Sequence, residues 1–295
     1  MLTLCLYGCN SNKGNPEKLD MNQLINENSS SQELEISEES LNSIIESLPN
    51  PLEIASSIKG SGVPFNEGLL NKTDNKENYT TDFERSLAMG IYSGNLGYIN
   101  VYEKSYLAIK YLTTIKGLAD DLKIGQFFDF ETIKRLSSNS NKIDSLIYLS
   151  TVNFEKMDKF LRSQKRSNLS VLMVTGTWLE SFYLATQVVK AKKNLVLIER
   201  IAEQKMVLDQ VMLILSAYKK EEFFAVIIEN MNLLKAEFDK VTITYNYKEP
   251  TTEEVNGRLV IVDNSTTEVN VTDEQVKLIT DVIEKIRTKI VTSSY

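Results

Sequence analysis

Asn194 to Tyr218, NLVLIERIAEQKMVLDQVMLILSAY, decides the fold class. Ile198, Ile201, Val207, Val211 and Leu215 recur at helical spacing and make one apolar stripe, behind an asparagine placed to cap the first turn. Its most apolar part, Val207 to Ala217, is too short to cross a membrane and includes Asp209 and Gln210. It reads as the interior helix of a helical domain.

The same signals spread outward in both directions. Asn50-Pro51-Leu52-Glu53 opens a helix that should stop at Gly60 or Gly62. Thr81-Asp82-Phe83-Glu84 is a capping box, and periodicity through Tyr102, Tyr106, Ile109, Leu112 and Ile115 predicts a buried helical stripe continuing to about Leu122. Asp129 caps a short helix over 130–137. Asn141 opens a longer one to about Arg166, with Glu155/Lys159 and Asp158/Arg162 as pairs on its solvated side. Helices then follow over 169–191, 195–218 and 219–240. Their short connections imply antiparallel neighbours. The period changes at Val241, Ile243, Tyr245 and Tyr247, which alternate with polar residues. With the turn at Asn256-Gly257 and the run Arg258–Val262, they predict a half-buried β-hairpin over 241–262, and Glu268 to Val271 reads as extended too. Thr272-Asp273-Glu274-Gln275 caps a last helix to about Val291. The expectation is a mostly α domain, an antiparallel helical bundle or stacked helical hairpins with a small β-hairpin insertion.

The first 50 residues differ in kind. Lys13 and Lys18 face eight acidic side chains there, so this piece holds −6 of the net charge of −7 and the remainder is nearly neutral. Met1 to Cys9 is apolar and ends in Leu6-Tyr7-Gly8-Cys9, which resembles a bacterial lipobox, where the cysteine is acylated and becomes the mature N-terminus. The stretch is shorter than usual and lacks a basic start, departures that a start codon further upstream would explain. Residues 10–45 are polar, acidic and poor in apolar side chains, as a disordered tether would be. The expected organisation is a leader over 1–9, a tether over 10–45 and a single helical domain over 46–295. It implies a lipid anchor on Cys9 that binds the chain to a membrane of the bacterial cell envelope, on the outer-membrane, periplasmic or surface side. A cytoplasmic protein with an apolar N-terminus is the alternative.

Composition narrows the chemistry. The chain has no histidine, and its two cysteines, Cys5 and Cys9, both lie in the leader. Ser-His-Asp and Cys-His catalysis and His or Cys zinc sites are therefore not available to the body. No phosphate-binding glycine loop is present, so neither a metal nor a cofactor is expected. A near-neutral body offers no electrostatic footprint for nucleic acid.

Two segments concentrate the remaining candidates. Gly90-Ile91-Tyr92-Ser93-Gly94-Asn95-Leu96-Gly97-Tyr98 places three glycines in a helix, where each costs about 1 kcal/mol relative to alanine. Close helix packing would compensate, and so would a ligand groove contacted by Tyr92, Asn95 or Tyr98. Gly176-Thr177-Trp178-Leu179-Glu180-Ser181-Phe182-Tyr183 holds the only tryptophan and a glutamate among apolar neighbours. An inward Glu180 needs a partner or a raised pKa. Tyr92, Asn95, Tyr98, Trp178, Glu180 and Tyr183 thus form a candidate ligand groove. The spacing further predicts that Gly94 and Trp178 meet at one interhelical contact.

The patterns Gly90-x-Tyr92-x-Gly94-x-Leu96-x-Tyr98, Leu118-Ala-Asp-Asp-Leu122 and Gly176-x-Trp178-x-Glu180 resemble an uncharacterised family of helical lipoproteins from Bacteroidetes-type bacteria. The likeness would run from Leu48-Pro-Asn-Pro51 to the final helix, and it implies no activity. Imelysin-like lipoproteins carry a Gly-x-His-x-x-Glu motif, which a chain without histidine cannot hold. The sequence favours a non-enzymatic binding or structural lipoprotein with an unidentified protein or small-molecule partner. The alternative is an enzyme using the Glu180/tyrosine groove on an unknown small substrate.

Overall fold

A computed structural model describes residues 36–48, 51–127, 143–255, 258–262 and 264–293. Its α-helices, numbered along the described residues, are α1 (Glu38–Ser47), α2 (Pro51–Gly60), α3 (Asp82–Val101), α4 (Ser105–Asp121), α5 (Ile143–Ser163), α6 (Ser167–Ala191), α7 (Leu195–Ser216), α8 (Glu222–Phe238) and α9 (Asp273–Val291). Cys9, the leader and most of the tether lie outside the described residues, as does the helix expected over 130–137. The fold is mostly α, with a small antiparallel β insertion between α8 and α9.

α6 is the central helix. It is apolar on nearly every side, and α2, α3, α5, α7 and α9 pack around it; a helix without a polar face has to be enclosed. The tightest partner is α3. A side chain on Gly90 would run into the Met173 carbonyl oxygen, and one on Gly176 into the Leu87 carbonyl oxygen. These glycines therefore let two helix backbones touch. Gly94 belongs to the same contact, where an added Cβ would lie 2.9 Å from the Glu180 Cβ. The atoms nearest Gly94 are those of Glu180 and Thr177, so the expected meeting with Trp178 is corrected. Trp178 instead turns toward α7, where its indole N–H donates to Gln204 Oε1 at 3.0 Å and its ring stacks on Phe182.

Helix starts follow the sequence closely. Thr81 with Glu84 and Thr272 with Gln275 form reciprocal capping boxes, and Asn194 caps α7 through the Leu197 N–H. One stop does not. The helix expected to run from 81 to 122 breaks at Tyr102: Lys104 N–H bonds to Ile99 O and Glu103 N–H to Asn100 O, a Schellman end with Glu103 at φ 59°. The same motif ends α4 at Lys123 (φ 63°) and α5 at Lys165 (φ 58°). The break rotates the buried stripe of α4 onto Ala108, Tyr111, Leu112, Ile115 and Leu118, leaving Tyr106 81% exposed.

Two further expectations are corrected. Glu38–Ser47, within the expected tether, is a helix capped by Ser37, and its Leu41 is buried. Asp158 and Arg162 do not lie on a solvated face. Asp158 is buried and accepts hydrogen bonds from both Arg162 and the buried Ser170 hydroxyl of α6; burial pushes its carboxyl up, a shift that Arg162 only partly offsets.

The β element takes in the stretch near Glu268–Val271 that was expected to be extended, and it stands outside the core. β1 (Thr242–Asn246) pairs antiparallel with β4 (Thr266–Asn270), and β2 (Thr251–Val255) pairs with β3 (Arg258–Val262). Thr242 faces Asn270 and Thr251 faces Val262, so the two ladders differ in register by one residue, accommodated on the first arm. Side chains of Asn264 and Ser265 bridge that step to Glu249 and Lys248. Val241 is buried, but Tyr245, Tyr247, Leu259 and Ile261 are 61–78% exposed, so the ribbon is not half-buried.

Candidate functional site

Glu180 sits in the middle of α6 with no solvent exposure. An unpaired charge there would be strongly unfavourable. Its partner is Arg287 of α9, whose Nε donates to Oε2 and whose guanidinium also donates to Oε1, both at 3.0 Å. The fork geometry of guanidinium matches the two carboxylate oxygens. Asn95 Nδ2 of α3 also donates to Oε1. Arg287 lies over the Tyr183 ring at 4.7 Å, an added cation–π contact. Burial works against the Arg287 charge, but the carboxylate of Glu180 outweighs it and holds the guanidinium above its ordinary value.

Polar contacts continue outward from this pair. The other end of the Asn95 side chain accepts from the Asn71 N–H at 2.9 Å. Asn71 is itself buried, with its Nδ2 donating to the Tyr79 hydroxyl and its Oδ1 accepting from Asn75. Tyr79 reaches the Val291 carbonyl near the end of α9, and Tyr111 of α4 donates to the Asn71 carbonyl. Burial raises the phenols of Tyr79, Tyr92, Tyr111 and Tyr183 above their ordinary value. Tyr102, nearer the surface, is pushed up to about 12 by burial, with Tyr98 adding to it. The hydroxyls of Tyr79, Tyr92, Tyr102 and Tyr111 are held as hydrogen-bonding neutral groups.

The six residues singled out in the sequence do not line one opening. Asn95 and Glu180 are fully enclosed at the α3–α6 contact, Tyr92 is enclosed against Lys72, Tyr79 and Tyr111, Trp178 faces α7, and Tyr183 lies beneath Arg287. Tyr98 alone reaches a cleft, of about 240 Å³, between residues 63–69 and the C-terminal part of α6. The enzymatic alternative needs Glu180 and a tyrosine open in one pocket. Here the carboxylate is sealed, and its oxygens are taken by Arg287 and Asn95.

Sequence reasoning missed Arg287, Asn71 and Tyr111. A signal existed for Arg287, which lies four residues after Ile283 and three before Ile290, on the buried stripe of α9. Among the described residues no helix is long and apolar enough to cross a membrane, and no group of three or more His, Cys, Asp or Glu side chains could hold a metal ion. In comparisons with known proteins, no family model, no curated protein and no solved structure matches the chain.

Proposed function

We propose that this chain is a lipid-anchored, non-enzymatic binding or structural protein of the bacterial envelope, akin to the helical lipoproteins its motifs resemble. The observation that supports it best is the fate of Glu180, the strongest catalytic candidate in the sequence. It is spent on a buried ion pair that joins α6 to α9. The body then acts as a rigid holder. Its β-ribbon presents Tyr245, Tyr247, Leu259, Val260 and Ile261 to solvent, an apolar surface of the kind that marks contact with another molecule.

The anchor is tested through Cys9. In the native host, radiolabelled palmitate should enter the protein, and Cys9→Ser should abolish labelling and release it from membranes. A wild-type chain that stays unlabelled and soluble would replace this reading with the cytoplasmic one. The ribbon is tested in the same host with a photo-crosslinking residue at Tyr247, which should give a discrete adduct that the same residue at exposed Lys104 does not.

A further inference from the structure

The segment linking α2 to α3 contains two short 3-10 turns, Glu67–Leu69 and Thr73–Asn78, but no strand or α-helix. Side chains of the bundle hold its first half by the main chain. Tyr102 donates to the Val63 carbonyl at 2.6 Å, and the Tyr98 hydroxyl accepts from the Asn66 N–H at 3.0 Å. Arg287 donates to the Leu69 carbonyl at 3.3 Å. Asn95 accepts from the Asn71 N–H at 2.9 Å, while Tyr111 and Tyr92 donate to the Asn71 and Lys72 carbonyls, each at 2.8 Å.

The arrangement is ordered. Tyr92, Asn95, Tyr98 and Tyr102 are spaced by three, three and four residues, so they share one face of α3. They meet residues 72, 71, 66 and 63 respectively, so the segment runs antiparallel to the helix. In all six bonds the segment contributes only a backbone N–H or C=O. Among its side chains between 63 and 72, only Leu70 and Asn71 are buried. Phe65 adds a ring contact, stacked on Tyr98 at 5.2 Å and tilted against Tyr102 at 5.6 Å. A surface that satisfies backbone donors and acceptors and takes a few side chains at fixed places is the chemistry by which proteins hold extended peptides. The cleft beside Pro64, Asn66 and Leu69 shows that the segment does not fill its seat against α6.

We propose that the face formed by Tyr92, Asn95, Tyr98, Tyr102, Tyr111 and Arg287 is a binding site for an extended polypeptide, and that residues 63–72 are its built-in, displaceable occupant. This goes beyond the envelope reading and depends on neither Cys9 nor the β-ribbon. The tether on both sides gives the occupant a high effective concentration, so a second peptide gains access only when the occupant loosens. Leu70 is its buried apolar anchor, and Phe65 packs on Tyr98 and Tyr102.

Two measurements on the full chain test this. In hydrogen exchange, the amides of 63–72 should exchange at least a hundredfold faster than those of α6, through local opening; exchange as slow as that of α6 would overturn the proposal. In the second, a fluorescein-labelled synthetic peptide of residues 61–74 is titrated by anisotropy. Leu70→Asp should bind it at least tenfold more tightly than wild type. Adding Tyr92→Phe and Tyr111→Phe to that variant, or N-methylating the peptide at the positions of Asn66 and Asn71, should each weaken binding at least tenfold. Where Leu70→Asp lacks a helical circular dichroism spectrum, Leu70→Ala takes its place. A folded variant with no saturable binding, or one indifferent to N-methylation, would show that the segment is only a fixed loop.

Discussion

Arg287 reaches across 107 residues of sequence to close both oxygens of the Glu180 carboxylate, so the last helix is fastened to the central one by a sealed ion pair. Removing one member leaves the other charged and buried without its counter-ion, which costs about 3–5 kcal/mol. Glu180→Gln and Arg287→Met should each lose stability on that scale in denaturant unfolding. The double variant should be more stable than the sum of the two losses predicts, because it leaves no orphan charge. Additive losses would mean the pair is not coupled as described.

The α3–α6 contact makes a different demand. Gly90 and Gly176 each face a backbone carbonyl of the other helix, and neither carbonyl can move without its helix. Gly176→Ala should therefore destabilise by about 1–3 kcal/mol even though alanine is the better helix former. Trp178 faces α7, so its native-state emission should stay where it is. An emission shift without a loss of stability would place the indole at the glycine contact after all.

Helix starts were legible because the capping chemistry is local: Thr81 with Glu84, Thr272 with Gln275 and Asn194 each announce themselves within four residues. The end of α3 was not: Glu103 occupies the left-handed position that usually belongs to glycine, so nothing in its residue type marked the break. The ends of α4 and α5, expected near Leu122 and Arg166, were legible although Lys123 and Lys165 hold the same left-handed position. The site was half-legible for a similar reason. An inward Glu180 requires a partner, but which cation supplies it depends on how α9 packs, a relation no local pattern contains.

Those left-handed positions can be improved. A side chain at φ 63° crowds the following carbonyl, a strain of about 1–2 kcal/mol that glycine avoids, set against the extra entropy glycine loses on folding. Lys123 is exposed and has this φ. Lys123→Gly should raise stability by about 0.5–1 kcal/mol, measured as a higher denaturant midpoint at unchanged slope. A lower midpoint would show that the lysine side chain contributes more than the strain removes.

Glu84 supplies a pH signature. Its partial burial raises the carboxyl, but hydrogen bonds from the Thr81 and Thr80 backbone and hydroxyls outweigh this and hold it below the ordinary glutamate value. A depressed folded-state pKa gives stability that is present above the unfolded value of about 4.5 and lost as pH falls through the folded one. Glu84→Ala should cost about 1 kcal/mol at pH 7. The gap to wild type should narrow below pH 4.5 and vanish in acid. A gap that is constant with pH would assign the loss to packing of the side chain instead of the ionised cap, since alanine is itself the better helix former.

The β-ribbon separates stability from recognition. Val241, just before β1, is buried, whereas Tyr245, Tyr247, Leu259 and Ile261 bury little. A two-stranded ribbon gains stability from what it packs against, and here that is little beyond its own partner strand. Joining Asn246 to Thr266 through Asn-Gly should thus leave the melting temperature within about 2 °C of wild type, since exposed side chains add only tenths of a kcal/mol each. The shortened protein should nevertheless lose whatever adduct a crosslinker at Tyr247 forms in the full chain, even with the crosslinker moved to Tyr245. A drop of many degrees would instead make the ribbon part of the folded core and remove it as a recognition element.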